Sequence, residues 1–241
     1  MPELTAAAFI GALIANQSDE ELRKIQRYFK SGEGDYGEGN RFIGVRMGTV
    51  FALAKQSIDL PPPELEVLLD SDMHEARAGA LSIMAKQAAR KKTPLERREA
   101  LYELYLRRHD RINNWDLVDL AARDVVGLWL LDRPRDVLYE LATSSNMWER
   151  RTAITATAAF LMKRKEVDDT FAIAELLLND HEDLIHKATG GWLRVAGDID
   201  RPRLNAFLDA YAATMPRVML RYAIEHFDAA ERQHYMGLKK R

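Results

Sequence analysis

The 241-residue chain has no cysteine, and this removes a disulfide framework, a thiol nucleophile and every zinc site built on thiolates. Long apolar runs are missing too. Residues 6–15 form the main candidate, but a membrane-spanning helix needs about 20 residues and a secretory leader needs a basic stretch ahead of its apolar core. A soluble protein of a reducing, cytoplasmic compartment is the expectation. Nor does either sign of charge dominate, since 35 Lys and Arg stand against 37 Asp and Glu for a formal net charge of −2. No global field draws the chain to nucleic acid, so a polyanion site would have to come from segregating cations onto one face.

Metal and cofactor signatures are equally sparse. The histidines His74, His109, His181, His186, His226 and His234 include no pair at i,i+4, the spacing that a helical metal site favours. Gly32-Glu33-Gly34-Asp35-Tyr36-Gly37 matches a dinucleotide glycine pattern, yet no strand precedes it and its two carboxylates would repel a pyrophosphate. Read instead as a calcium loop from Glu33, it places Gly44 where the bidentate glutamate belongs. No metal and no cofactor are expected.

What is present is helical periodicity. Apolar residues return at intervals of three and four, as in Leu22, Ile25 and Phe29 or Leu117, Leu120, Ala121, Val125 and Leu128, with no sustained alternation of period two. Ser18 with Glu21 and Thr93 with Glu96 fit the capping box, Pro94 suits a first helical position, and Asn114 suits the cap of the next helix. Breaks fall at residues 31–40, at Pro61-Pro62-Pro63, and near Pro134, Pro202 and Pro216. They predict a single domain over residues 1–241 made of about a dozen helices.

The helices repeat. Trp115 and Trp148 stand 33 residues apart at similar helix openings, Leu184 comes 36 residues later, and weaker copies begin near Met73 and Pro216. Such a period belongs to stacked helix pairs, so the expected fold is an all-α helical-repeat solenoid. Three or four residues into the copies lie Arg77, Asp119, Arg151, Lys187 and then Arg217 or Arg221. Equivalent positions of a solenoid share a face, which predicts a row of cations with one carboxylate among them, suited to a polyanion.

Trp115 and Asp119 lie one helical turn apart, so indole and carboxylate leave one face together. An aromatic surface beside an anion suits a sugar acquiring oxocarbenium character as its N-glycosidic bond breaks. Arg151, one repeat on, could hold a flanking phosphate. The plainer alternative is an Asp119–Arg123 helix ion pair with Trp115 and Trp148 as spacers between repeats, and Arg150 and Arg151 as a solvated face. His186, beside the predicted cations, fits a general acid or base or an ordinary helix-face histidine.

Across nearly its whole length the chain resembles the AlkD-like family of DNA alkylation repair glycosylases. The likeness runs through Arg27-Tyr28-Phe29-Lys30, Phe42-Ile43-Gly44-Val45-Arg46, His74-Glu75-Ala76-Arg77, Asn114-Trp115-Asp116-Leu117-Val118-Asp119, Trp148-Glu149-Arg150-Arg151-Thr152-Ala153-Ile154, Ile185-His186-Lys187-Ala188 and Met215-Pro216-Arg217. The resemblance implies an all-α, HEAT-like helical-repeat solenoid, and a monofunctional glycosylase that hydrolyses cationic N3- and N7-alkylated purines from duplex DNA. Trp115, Asp119 and Arg151 match the family's active-site motifs. Tyr28, Lys30, Arg77, Arg150, Lys187, Trp192 and Arg194 make up the expected DNA-binding set, on a monomer. The family works largely through the backbone around the lesion, and this sequence offers no obvious enclosed base-binding pocket.

Two positions depart from the pattern. The family places a tryptophan after a single glycine in the Lys187 helix, whereas Gly190-Gly191-Trp192 puts Gly191 there and shifts Trp192 by one residue, about 100° around a helix. Either Trp192 turns toward the core or the paired glycines loosen the turn. Phe51 stands where related sequences tend to carry a base. A catalytically weak module that binds DNA structure or a protein partner is the alternative function.

Overall fold

The computed structural model describes residues 4–29, 37 and 40–238. Lys30, nearly all of the Gly32-to-Gly37 motif, and Lys239-Lys240-Arg241 lie outside them. The fold is an all-α helical repeat. Among the described residues there is no strand, only an isolated bridge between Arg41 and Met73. No described helix is long and apolar enough to cross a membrane.

The chain divides into two compact units, Met1–Trp129 and Leu130–Arg241. The first contains α1 (Ala6–Ile14), α2 (Asp19–Phe29), α3 (Met47–Gln56), α4 (Pro62–Asp70), α5 (His74–Ala89), α6 (Leu95–Arg107) and α7 (Trp115–Ala121). Helix α5 is its axis. It packs against α3, α4 and α7, and because it is apolar or small on nearly every side it is buried almost throughout, from His74 to Ala88. Gly79 lets it meet α1 closely, since a Cβ there would lie 2.5 Å from the Phe9 ring.

Capping follows the sequence in part. Asn114 accepts from the Trp115 amide at 2.8 Å, starting α7 where expected. Ser18 Oγ accepts from Glu21 N at 3.4 Å, but the Glu21 carboxylate turns to Lys24 and Arg46, leaving half of a capping box. The Thr93 expectation needs correcting. Pro94 is itself the cap residue of α6, with no side-chain cap, and Thr93 Oγ1 accepts from Arg90 Nε at 3.3 Å. After α7 the helix widens into a π segment, Ala122–Gly127, closed by a bond from Leu128 N to Arg123 O at 3.0 Å. Such one-turn π insertions recur at functional sites.

The second unit contains α8 (Asp136–Ala142), α9 (Met147–Ala156), α10 (Ala158–Arg164), α11 (Asp168–Leu176), α12 (Asp183–Ile199), α13 (Arg201–Tyr211), α14 (Arg217–Ala223) and α15 (Ala229–Gly237). Here α12 is the axis, packed on α9, α13 and α14. Gly190 makes the α14 contact possible, since a Cβ on it would fall 2.4 Å from the Met219 carbonyl oxygen. Trp148 is buried and serves the core of this unit.

Candidate functional site

Helix α7 opens on Asn114, and its first two turns present Trp115, Asp116, Asp119 and Leu120 to a cavity of about 500 Å³ in the first unit. The end of α2 adds Ile25, Tyr28 and Phe29, the segment before α3 adds Phe42, and α3 adds Met47 and Phe51. Sequence reasoning offered no sign of this cavity, which is open to solvent on one side and not enclosed. The aromatic wall comes from separate elements that only the fold unites. Trp115 lies nearly parallel to Phe29 with ring centroids 5.5 Å apart, Phe29 stacks on Phe42 at 5.0 Å, and Tyr28 meets Trp115 edge-on at 6.0 Å. Phe29 and Phe42 are buried, whereas Tyr28 is 66% and Phe51 36% exposed, so the outer rings are open to a ligand.

Beneath the rings lies a polar floor. Glu75, 1% exposed, accepts the backbone N–H groups of Ile43 at 3.1 Å, Gly44 at 2.9 Å and Val45 at 3.2 Å. The chain can wrap this carboxylate because Gly44 takes φ +79°, and because a Cβ there would meet Ser18 O at 2.3 Å. His74, fully buried, leans on Phe42 at 4.5 Å. Its Nδ1 lies 3.2 Å from Asn40 Oδ1 and its Nε2 2.8 Å from Asp116 Oδ2. Asn40 Oδ1 also accepts from Arg77 Nη2 at 2.6 Å, so it is an acceptor and Nδ1 carries the proton toward it. The other Asp116 oxygen, Oδ1, is buried with no hydrogen-bond partner among the described residues.

The candidate residues fall into distinct environments. Tyr28, Trp115 and Asp119 line the one cavity, with Asp119 exposed at its edge. Arg77 is in the same unit but 2% exposed, directed to Asn40, Asn113 and the Arg111 carbonyl. Burial, with Arg111 nearby, lowers its guanidinium to about 10, so it stays charged at neutral pH. At the mouth, Arg46 pairs with Glu21 at 2.8 Å, and hydrogen bonds from Arg46 and then Lys24 hold Glu21 below the usual carboxylate range.

In the second unit, Arg151 is 8% exposed and donates to the Leu184 carbonyl at 2.8 Å. Arg150 grips Asp180 through Nε at 2.6 Å and Nη2 at 3.2 Å. Lys187 pairs with Asp183 at 2.5 Å, and Arg194 with Glu225. His186 Nε2 lies 2.7 Å from the Asp180 carbonyl oxygen, in an ordinary helix-end contact. Trp192 is half-buried in an uninterrupted α12, so the paired glycines do not loosen that turn. A Cβ on Gly191 would meet nothing within 4 Å among the described residues.

A family model described as DNA alkylation repair enzyme matches residues 9–227, a span that takes in most of both units and every candidate site residue. The chain belongs to the DNA alkylation repair enzyme family. A solved structure described as a predicted DNA alkylation repair enzyme from Enterococcus faecalis is 18% identical, with a TM-score of 0.69 over 89% of this chain and 98% of that one. At that identity the likeness speaks for the fold. A search of curated proteins finds no match.

Membership gives this repair enzyme a role in DNA alkylation repair. Among its described residues no group of three or more His, Asp or Glu is placed to hold a metal ion. Sequence reasoning passed over Phe29, Phe42, His74 and Asp116 as site residues. Trp115 and Asp116 are adjacent, so the signal that could have found Asp116 was a buried carboxylate in the first turn of the very helix already singled out.

Proposed function

We propose that this enzyme is a monofunctional DNA N-glycosylase acting on cationic N3- and N7-alkylated purines in duplex DNA. The observation that carries the reading is that Trp115 and Asp119 line one cavity from the same helix, the indole within it and the carboxylate at its exposed edge. Alkylation already leaves the purine positively charged, so no acid is needed to protonate the leaving base. The C1′–N bond breaks, and its electron pair neutralises the purine. Positive charge passes to the sugar, where Asp119 stabilises it and Trp115 presents a π face. Water adds at C1′ and gives up a proton to Asp119 or solvent, leaving an abasic site.

Arg151 and Lys187 are assigned to phosphates, along with Tyr28, Lys30, Arg150, Trp192 and Arg194 as the wider DNA-binding set, while Arg77, buried and turned to Asn40 and Asn113, is left out of it. Lys187 pairs with Asp183 along α12 and is given no nucleophilic part. No lyase step is proposed. The test is single-turnover release of 7-methylguanine and 3-methyladenine from methylated duplex. Asp119→Asn should slow release by about 10²–10³-fold, the usual cost of removing one stabiliser of transition-state charge, with DNA affinity nearly unchanged. Equal losses of binding and release would make Asp119 a structural residue.

One observation favours a second reading. With Gly191 facing open space and Trp192 turned away from that position, the chain fits a weakly catalytic DNA-binding module, which would bind without releasing base.

A further inference from the structure

Helix α7 carries the site, yet it is seven residues long, well below the roughly 12–15 at which a helix sustains itself. Asn114 caps its start, and at its far end Ala121 leaves helical geometry at φ −132° before the π turn begins. Its fixed point lies to the side. Asp116 stands between Trp115 and Asp119 in sequence but turns to α5, where its Oδ2 meets His74 Nε2 at 2.8 Å. His74 is fully buried and is held from behind, since Nδ1 donates to Asn40 Oδ1, the oxygen that also accepts from Arg77 Nη2. With the Nδ1 proton committed to Asn40, an ordinary neutral imidazole would turn a bare Nε2 lone pair toward a carboxylate. Two acceptors do not rest 2.8 Å apart, so a second proton lies between Nε2 and Oδ2. The pair is then neutral as a whole, whether that proton sits on the ring or on the carboxyl.

We infer that His74 and Asp116 form a proton-sharing pair that positions α7 for base release, acting through Asp116 on Trp115 and Asp119. They are positioning residues and do not touch DNA, since His74 is 0% exposed and both Asp116 oxygens are taken up or buried. The inference rests on the glycosylase reading for the reaction it serves. The anchor is stiff because the same turn of α5 is tied to the chain on either side. Arg77 reaches Asn40 and Asn113, and Glu75 holds the amides of Gly44 and Val45. Fixed in this way, the Trp115 indole lies nearly parallel to Phe29 with ring centroids 5.5 Å apart, and Asp119 stands one turn on at the cavity's edge. Stabilising charge at C1′ depends on placement, whereas DNA affinity comes mainly from phosphate contacts, so loosening the pair acts on the rate constant for release and not on binding.

The test uses the full chain in two measurements, single-turnover release from methylated duplex with enzyme in excess, and proton NMR without DNA. Asp116→Leu and His74→Leu should each lower the rate constant for release about 10²-fold, the cost of a misplacement of about 1 Å, with the released fraction and DNA affinity kept. The double change should cost no more than either alone. Asp116→Asn restores a bond, its amide donating to Nε2 of a neutral imidazole, and should lose only about threefold to fivefold, the difference between a charge-assisted and a neutral hydrogen bond. A merely structural pair would instead lower the released fraction and leave the rate constant alone. In the spectrum His74 should show two exchange-protected protons, one on Nδ1 and one in the bond to Asp116, and Asp116→Asn should keep the first and lose the second. A single such proton in the natural protein, or leucine variants that release base at the natural rate, overturns the inference. If leucine prevents folding, the asparagine variant and the spectrum decide, and a 10²-fold loss with asparagine, about the leucine figure, overturns it as well. The glycosylase reading is separable. Base release with one His74 proton sinks the pair alone, whereas both protons without base release sink the glycosylase, and a Trp115 indole resonance that moves in Asp116→Leu but not in Asp116→Asn then supports the positioning.

Discussion

Replacing Glu75 by alanine leaves the amides of Ile43, Gly44 and Val45 without the carboxylate that accepts them. The bonds from Gly44 and Val45 are buried, and a buried donor left unpaired costs about 1–3 kcal/mol. Two such donors set a gross cost of about 2–6 kcal/mol, offset in part because alanine no longer takes a carboxylate out of water, so the net is about 2–4 kcal/mol. Glu75→Gln keeps one acceptor oxygen but turns an NH2 group toward the amides, and should cost about 1–2 kcal/mol. Urea denaturation should order the midpoints as wild type, Gln, Ala, with the alanine midpoint lower by about 1–2 M. Amide exchange at Gly44 and Val45 should accelerate in the same order. Phe42 is carried by this segment, so its stacking on Phe29 in the cavity wall should loosen in the same order. An alanine variant within about 0.2 M of wild type would refute the account and make Glu75 an incidental occupant of the floor.

Gly44→Ala combines a left-handed φ of +79° with a Cβ only 2.3 Å from Ser18 O, and should destabilise by more than the roughly 1 kcal/mol of the backbone conformation alone, measured by thermal or urea unfolding. The double change Gly191→Trp with Trp192→Met puts an indole where a Cβ meets open space, and should raise single-turnover base release. No gain would show that the offset of Trp192 is not what limits the enzyme. Duplex DNA affinity, measured across a range of salt, should fall with a log-log slope of about −3 to −4, as expected for about four neutralised phosphates, and a flat dependence would point to an apolar protein partner.

The helical repeat and the pairing of Trp115 with Asp119 were legible because both depend on spacing along the helices. Asn114 as a cap was legible for the same reason, its bond to Trp115 N being local. The cavity was not, since Phe29, Phe42, His74 and Phe51 reach it from four separate segments and each reads as an ordinary core residue in sequence. Arg77 shows the opposite failure. Repeat register places it beside exposed cations, but only Asn40 and Asn113, brought in from either side, reveal that its guanidinium is directed inward. Phase carries no information about burial when the helix is an axis, as α5 is. At Thr93 the pattern fitted a capping box, and Arg90, close by in the turn, took the hydroxyl instead.

The π segment at Ala122–Gly127 implies an uneven tolerance to genetic change. The widened turn takes up one residue more than an α-helical turn with little change in the phase of what flanks it, so losing one residue there would let the helix close normally and leave α7 facing as it does. Within α7 a single deletion would instead turn the residues ahead of it by about 100°, carrying Trp115 away from the rings contributed by α2 and α3. Chain length is negotiable in the π segment and fixed one turn earlier.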